Sequence, residues 1–200
     1  MRVIAAGDTY KEFEKTKRYL SELKEGIVLF GELSFGPEKG MDWSLEDLAK
    51  YSKDFPMTLI GTKEERIHIV KKGVVVPAQF GYPLSSEKKL RYLRADRLHD
   101  VSYEPKRIVL ALSRICADAS DPYMGEGKAD LLLISSCGTD WENRLDEILE
   151  GHQRKLNPDS LIVQCDLMTS NNFIYSLKKK KMVGRKMKGE QGDEYVVYDM

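Results

Sequence analysis

The sequence predicts an α/β fold, and three observations carry that expectation. Apolar runs of four to nine residues recur along the chain, separated by charged stretches with helical spacing. The first 35 residues already read strand, helix, strand, the order of a βαβ unit. The second half then repeats the alternation. Residues 1–200 contain no Ser- or Pro-rich linker and no repeat, and the length suffices for one buried core, so a single domain is expected.

In chain order, RVIAA at 2–6 is a short apolar run suited to a buried strand. Residues 10–24 place Tyr10, Phe13, Leu20 and Leu23 at helical spacing, and Gly26 ends that helix. IVLFGELSF at 27–35 is the second strand. Residues 43–51 read as a helix, with Ser44 as its cap and Glu46 and Asp47 in the first turn, where the helix dipole favours acids. Strands are expected at 57–60, 66–70 and 74–76, then an irregular connection over 81–105 holding Gly81, Pro83 and Pro105. RIVLALSRI at 107–115 and LLLIS at 131–135 are strands, 141–155 a helix, and LIVQC at 161–165 a strand. Residues 172–177 and 195–198 look like closing strands around a basic turn.

Composition narrows the function classes. With 42% hydrophobic and 32% charged residues, the chain is neither disordered nor collagen-like. No stretch approaches the ~20 apolar residues of a spanning helix. The opening MRVIAAGDTY does not read as a signal peptide. Cys116, Cys137 and Cys165 are too scattered for a disulfide framework or zinc cluster, which suggests a reducing, cytoplasmic setting. Thirty-two basic residues balance thirty-two acidic ones, which argues against a whole-surface nucleic-acid binder. The run from Lys178 to Lys188 (KKKKMVGRKMK) holds seven basic residues and no acid, leaving the remainder acidic by seven charges. It lacks interleaved aromatics, so it reads as a solvated, loosely ordered hairpin. Neither nucleic acid nor an anionic surface is expected as partner.

Three residues invite a chemical reading. Cys116 ends an apolar strand and enters the turn-forming run ADASDP, where backbone N–H groups lower a thiol's pKa and can hold an oxyanion. The alternative is a small buried hydrophobe. Glu32 interrupts an apolar strand, so it is either solvated or a buried carboxylate of raised pKa, as a general base requires. Lys72 follows IHIV and precedes Gly73. It is either a solvated turn residue or an amine positioned to stabilise charge.

Taken in order, these segments resemble the nitrilase, or carbon–nitrogen hydrolase, superfamily over nearly the whole chain. Cys116-Ala117-Asp118-Ala119-Ser120-Asp121-Pro122 has the family's Cys-x-Asp-x-x-x-Pro spacing, and KADLLLISS at 128–136 is similar to the strand that follows it. VLFGEL at 28–33 looks like the segment carrying the family's base, and KGVVVP at 72–77 like its lysine segment. RKLN at 154–157 falls at the family's RAxEN helix end.

The resemblance implies an α-β-β-α sandwich, two packed β-sheets with helices on the outer faces. It implies a homodimer or larger homo-oligomer, and amidase-like hydrolysis of a small amide or carbamoyl compound. Cys116 would be the nucleophile, Glu32 the general base and Lys72 the oxyanion stabiliser, with Lys71, Lys88 and Lys89 as alternative amines. Ala117 would lend its N–H, while Cys137 and Trp141 could line the pocket. No metal or organic cofactor is implied. The alternative is an inactive module that keeps the fold for binding or assembly.

Overall fold

A computed structural model describes residues 1–6, 21, 26–31, 44–54, 57–63, 66–80, 108–112, 128–136, 145–152, 156–166, 172–188 and 194–200. These form two β-sheets and two helices. In the first sheet β1 (Arg2–Ala6), β2 (Gly26–Leu29) and β3 (Thr58–Lys63) are parallel neighbours. β4 (Arg66–Lys71) and β5 (Val74–Phe80) extend it as an antiparallel hairpin. In the second sheet β6 (Ile108–Leu112), β7 (Ala129–Ser136) and β8 (Leu156–Asp166) are parallel, and β9 (Phe173–Ser176) and β10 (Lys181–Val183) follow antiparallel. The chain then returns to the first sheet as β11 (Arg185–Lys188), an edge strand paired with β12 (Glu194–Asp199), which pairs with β1. The helices are α1 (Leu45–Ser52) and α2 (Leu145–His152).

Period-two alternation divides the buried residues into three layers. Val3, Ala5, Ile27, Leu29, Leu131, Leu133, Leu161 and Val163 face inward, where the two sheets meet in one apolar cluster. Their neighbours Ile4, Ala6, Val28 and Phe30 face outward and pack with Leu45 and Leu48 of α1. On the far side Leu132, Ile134 and Ile162 pack with Leu145 and Leu149 of α2. Both faces of each central strand are covered, which is why the sequence shows continuous apolar runs rather than a polar-apolar alternation. Burial of each such Leu, Ile or Val contributes about 1.5–3 kcal/mol before entropy is counted. The result is helix, sheet, sheet, helix, the sandwich the resemblance implies.

Sequence-based boundaries and the observed ones agree at the centres of elements and differ at their ends. α1 starts two residues later than the 43–51 reading and ends one residue later. Its cap is Ser44, whose Oγ accepts from Asp47 N (3.2 Å) while Asp47 Oδ2 accepts from Ser44 N (3.2 Å), a reciprocal capping box. β5 continues to Phe80, well beyond the expected 74–76, because the hairpin with β4 carries it past Pro77 across a bulge. The expected helix at 10–24 and the connection at 81–105 lie outside the described residues, apart from Ser21, which is helical. No helix among the described residues is long and apolar enough to cross a membrane.

The largest departure is the basic run. Two regular strands occupy it, β10 at one edge of the second sheet and β11 at one edge of the first. β10 runs parallel to β8 and β11 parallel to β1, so the chain keeps its direction and changes sheets at Gly184. Gly184 has φ 99°, and a Cβ there would lie 2.9 Å from Val196 Cγ1 and 3.0 Å from the Val197 carbonyl oxygen. Only glycine fits a bend so close to the neighbouring strand.

Candidate functional site

The C-terminal ends of the parallel strands in both sheets meet at one edge of the sandwich, here termed the carboxyl edge. Two buried side chains tie the sheets together there. Ser135, at the end of β7, donates from Oγ to the Phe30 carbonyl oxygen at 2.9 Å. Cys165, at the end of β8, donates from Sγ to the Ala6 carbonyl oxygen. Both side chains continue the inward-facing series of their strands, Leu131–Leu133–Ser135 and Leu161–Val163–Cys165, so pleat parity alone aims them at the opposite sheet. Phe30 N in turn donates to the Ile60 carbonyl oxygen at 2.8 Å, which extends the β2–β3 pairing beyond Leu29. The path of β2 toward Glu32 is thereby held from both sides up to Gly31, which is buried.

Asp166 closes β8 at the same edge, in register with Ser136 of β7 and fully buried. Its backbone N–H donates to Asn172 Oδ1 at 3.0 Å. The sequence reading stopped the strand one residue short, at Cys165. The available signal was the acid that terminates LIVQCD, since a charge closing an apolar run marks where a strand leaves the core.

The opposite edge of the sandwich carries Lys72. Lys72 and Gly73 are the two central residues of the β4–β5 hairpin, with φ 48° and 81°. Positive φ at both positions is the type I′ geometry that suits the right-handed twist of a hairpin. Lys72 is exposed. The turn docks on the end of α1, where Gly73 N donates to Ser52 Oγ at 2.9 Å and Ser52 Oγ donates to the Ala49 carbonyl oxygen at 2.9 Å. Because Leu59 pairs with Val70, Lys72 is level with Met57, whereas Phe30 is level with Gly61. Four residues of strand separate the two levels, about 13 Å.

Lys72, the lysine that fits the motif, thus belongs to a turn at the edge opposite to the one where β2 ends, and Glu32 itself lies outside the described residues. Lys71, one residue before that turn, lies at the same edge. β5 then carries the chain back, so that Phe80 pairs with Arg66 at the level of the carboxyl edge. Lys88 and Lys89 follow that return and lie outside the described residues.

Glu32, Cys116, Ala117, Cys137 and Trp141 also lie outside the described residues. What the structure supplies for them is the arrangement of the strands that lead there. β2 ends at the carboxyl edge three residues before Glu32, and β6, in register with β7, ends four residues before Cys116. Cys165 is a buried core residue, as its apolar setting predicts. His68 is a half-buried residue of β4, as the strand reading expects. No cluster of three metal-ligating side chains occurs among the described residues.

Solved structures share this architecture. Saccharomyces cerevisiae Nit3, a member of branch 10 of the nitrilase superfamily, superposes with a TM-score of 0.53 at 9% identity, over 99% of this chain and 89% of that one. The Caenorhabditis elegans NitFhit protein superposes with a TM-score of 0.57 at 13% identity, over 99% of this chain. This chain spans 60% of the NitFhit chain's length. No protein-family model and no curated protein matches the sequence. The chain has the nitrilase-superfamily fold, an α/β sandwich of two mixed sheets.

Proposed function

We propose that the protein is a carbon–nitrogen hydrolase of the amidase type, acting on a small amide or carbamoyl substrate at the carboxyl edge. The observation that carries the reading is convergence. β2, which leads to Glu32, and β6, which leads to Cys116, end at the edge where Ser135 joins the two sheets. Each residue extends a chain by at most about 3.6 Å, so Glu32 is within about 7 Å of chain from Phe30 and Cys116 within about 14 Å from Leu112.

In this reading Glu32 removes the thiol proton of Cys116, and the thiolate attacks the amide carbon to give a tetrahedral oxyanion. The carbon–nitrogen bond breaks as Glu32 returns the proton to the leaving amine, and a thioester remains on Cys116. Glu32 then takes a proton from water, whose oxygen attacks the thioester carbon; the carbon–sulfur bond breaks, the acid leaves, and Glu32 returns the proton to the Cys116 sulfur. The Ala117 N–H and a lysine amine stabilise the oxyanion. That amine is assigned to Lys88 or Lys89, which follow the return of β5 to this edge, rather than to Lys72. Cys137 and Trp141 line the substrate pocket. The expected assembly is a homodimer or larger homo-oligomer, as the resemblance implies, and the three scattered cysteines suggest a reducing, cytoplasmic setting.

Intact-mass spectrometry tests the chemistry. A Glu32→Gln variant incubated with an amide library should retain an acyl adduct on Cys116, absent from Cys116→Ala. A second reading, an inactive nitrilase-fold module for binding or assembly, is favoured by one observation, the placement of Lys72 about 13 Å along the strands from the Phe30 level. No adduct on Cys116 across a broad library would establish that second reading over the first.

A further inference from the structure

We infer that the strap formed by β10, Gly184 and β11 is a docking surface for the phosphate backbone of a nucleic acid, read without regard to sequence. The strap is a single extended path that closes one side of the sandwich. Residues 181–188 span about 26 Å at strand rise, comparable to 7–8 base pairs of duplex along its axis. With the preceding turn it carries Lys178, Lys179, Lys180, Lys181, Arg185, Lys186 and Lys188, all exposed.

Two of these cations are held by acids, Lys178 by Asp159 and Lys188 by Glu194, each at 3.2 Å. Lys179 donates to the Tyr198 hydroxyl at 3.2 Å and sits 5.4 Å from that ring's centroid. Lys180, Lys181, Arg185 and Lys186 project from the same strap, and no ion pair closer than 4 Å is formed by them among the described residues. Lysine on an edge strand discourages pairing with another sheet. That role needs a charge on each edge, not seven cations without an intervening acid. The rest of the chain is acidic by the same amount, so the strap is a dense cationic segment on an otherwise net-negative chain, an arrangement that attracts a polyanion to the strap.

The chemistry favours a phosphate backbone over an anionic membrane. The exposed apolar side chains of the strap, Met182 and Met187, neighbour Tyr175 and Tyr195 respectively, which lie on the outer faces of opposite sheets. An interfacial anchor needs its apolar groups on one face. No aromatic side chain belongs to the strap itself, so bases have no stacking platform and contact is to phosphates. The inference is independent of the hydrolase reading, and it reverses the expectation drawn from the sequence.

The test is fluorescence anisotropy of a labelled 24-base-pair duplex DNA titrated with the full chain at 50–200 mM salt. Four phosphate contacts predict a log–log salt slope of about −4 and a loss of about a hundredfold in affinity across that range. Lys180→Gln/Lys181→Gln/Lys186→Gln should weaken binding at least tenfold at 50 mM salt and flatten the slope to about −1. A control with the same charge change elsewhere, Lys50→Gln/Lys72→Gln/Lys128→Gln, should bind as the parent does. Far-UV circular dichroism identifies any misfolded variant, and single substitutions then replace the triple. Absence of DNA binding at 50 mM salt, equal loss in the control, or binding to phosphatidylserine vesicles without binding to DNA would each overturn the inference.

Discussion

The two edges of the sandwich are built from the same strands and by different rules. At the carboxyl edge, buried side chains from one sheet bond to the backbone of the other, Ser135 to Phe30 and Cys165 to Ala6. At the opposite edge, the β4–β5 hairpin ends in a two-residue turn, Lys72 exposed and Gly73 half-buried, that leans on the end of α1 through Ser52. The first edge couples the sheets, and the second is locally determined. A reactive centre needs groups from several strands held to within a fraction of an ångström, and only the coupled edge provides such support. Lysine in a turn and lysine in a site look alike in sequence because the difference is one of edge, not of neighbours.

The largest expected contrast is in activity. Cys116→Ala and Glu32→Gln should each lower amide hydrolysis by 10²-fold or more (order of magnitude for loss of a nucleophile or general base), whereas Lys72→Asn should leave kcat/KM within about twofold. One of Lys88→Ala and Lys89→Ala should join the first group. Steady-state kinetics on the adduct-forming amide measures all five. Loss of activity in Lys72→Asn would return that lysine to the site.

Next is the tether. Ser135→Ala removes a buried donor to the Phe30 carbonyl and should cost about 1–3 kcal/mol in urea denaturation. Unchanged stability would mean that packing and the Cys165–Ala6 bond hold the two sheets at this edge without the Ser135 bond. At the opposite edge, Gly73→Ala places a Cβ 2.6 Å from Lys53 Cγ at a φ of 81°. The strain of a positive φ for a residue with a Cβ is about 1–2 kcal/mol, so the loss in the same assay should be of that size, with little effect on hydrolysis.

Lys72→Asn acts in the other direction. Asparagine tolerates positive φ better than lysine, so this variant should gain up to about 1 kcal/mol. A turn residue improves the fold when replaced, and a site residue does not.

The smallest effect is on pH dependence. Hydrogen bonds from Ser44 hold the Asp47 carboxyl below the usual carboxylate range, and the hydrogen bond from Arg2 does the same for Asp199. Each carboxylate is more acidic folded than unfolded. The stability it adds is therefore present above the unfolded value near pH 4 and is lost as pH falls through the folded value. Arg2 is raised by the same pair, chiefly through its hydrogen bond to Asp199, so its contribution is full across the whole acid and neutral range and lost only in strong alkali, above the folded value. Asp199 is exposed and Asp47 is half-buried at the protein surface, so screening by water keeps the effect small. Thermal melts between pH 2 and 7 should decline only below about pH 4 for these groups, and less steeply in Asp47→Ala and Asp199→Asn.

Much of the sandwich was legible because its strands are covered on both faces. RVIAA, LLLIS and LIVQC are apolar for a physical reason, and that reason is the same in isolation as in the fold. The α1 cap was legible because it is local: Ser44 and Asp47 satisfy each other's backbone within one turn. The resemblance to the nitrilase superfamily was legible from the order and spacing of four short segments, and the fold agrees with it.

The strap was not legible. KMV and RKMK have no apolar period to announce a strand, and they are strands because β9 and β12 offer them open edges. Nor was the edge on which each motif residue falls. KKG fitted the lysine segment by spacing, but Gly73 made it a type I′ turn whose position is fixed by pairing Leu59 with Val70, residues eleven apart. Ser135 read as the polar end of LLLIS, and its bond to Phe30 joins residues 105 apart.

By itself, then, the sequence determined which segments become central strands, where α1 begins and which family of folds the chain resembles, because periodicity, capping and motif order act over a few residues. Only the tertiary structure decided which strand ends share an edge, that the basic run becomes a sheet-crossing strap, and that Lys72 occupies the β4–β5 turn at the edge opposite the end of β2. Those outcomes depend on register between distant strands, and a one-residue change of register alters no local pattern while moving every side chain to the other face.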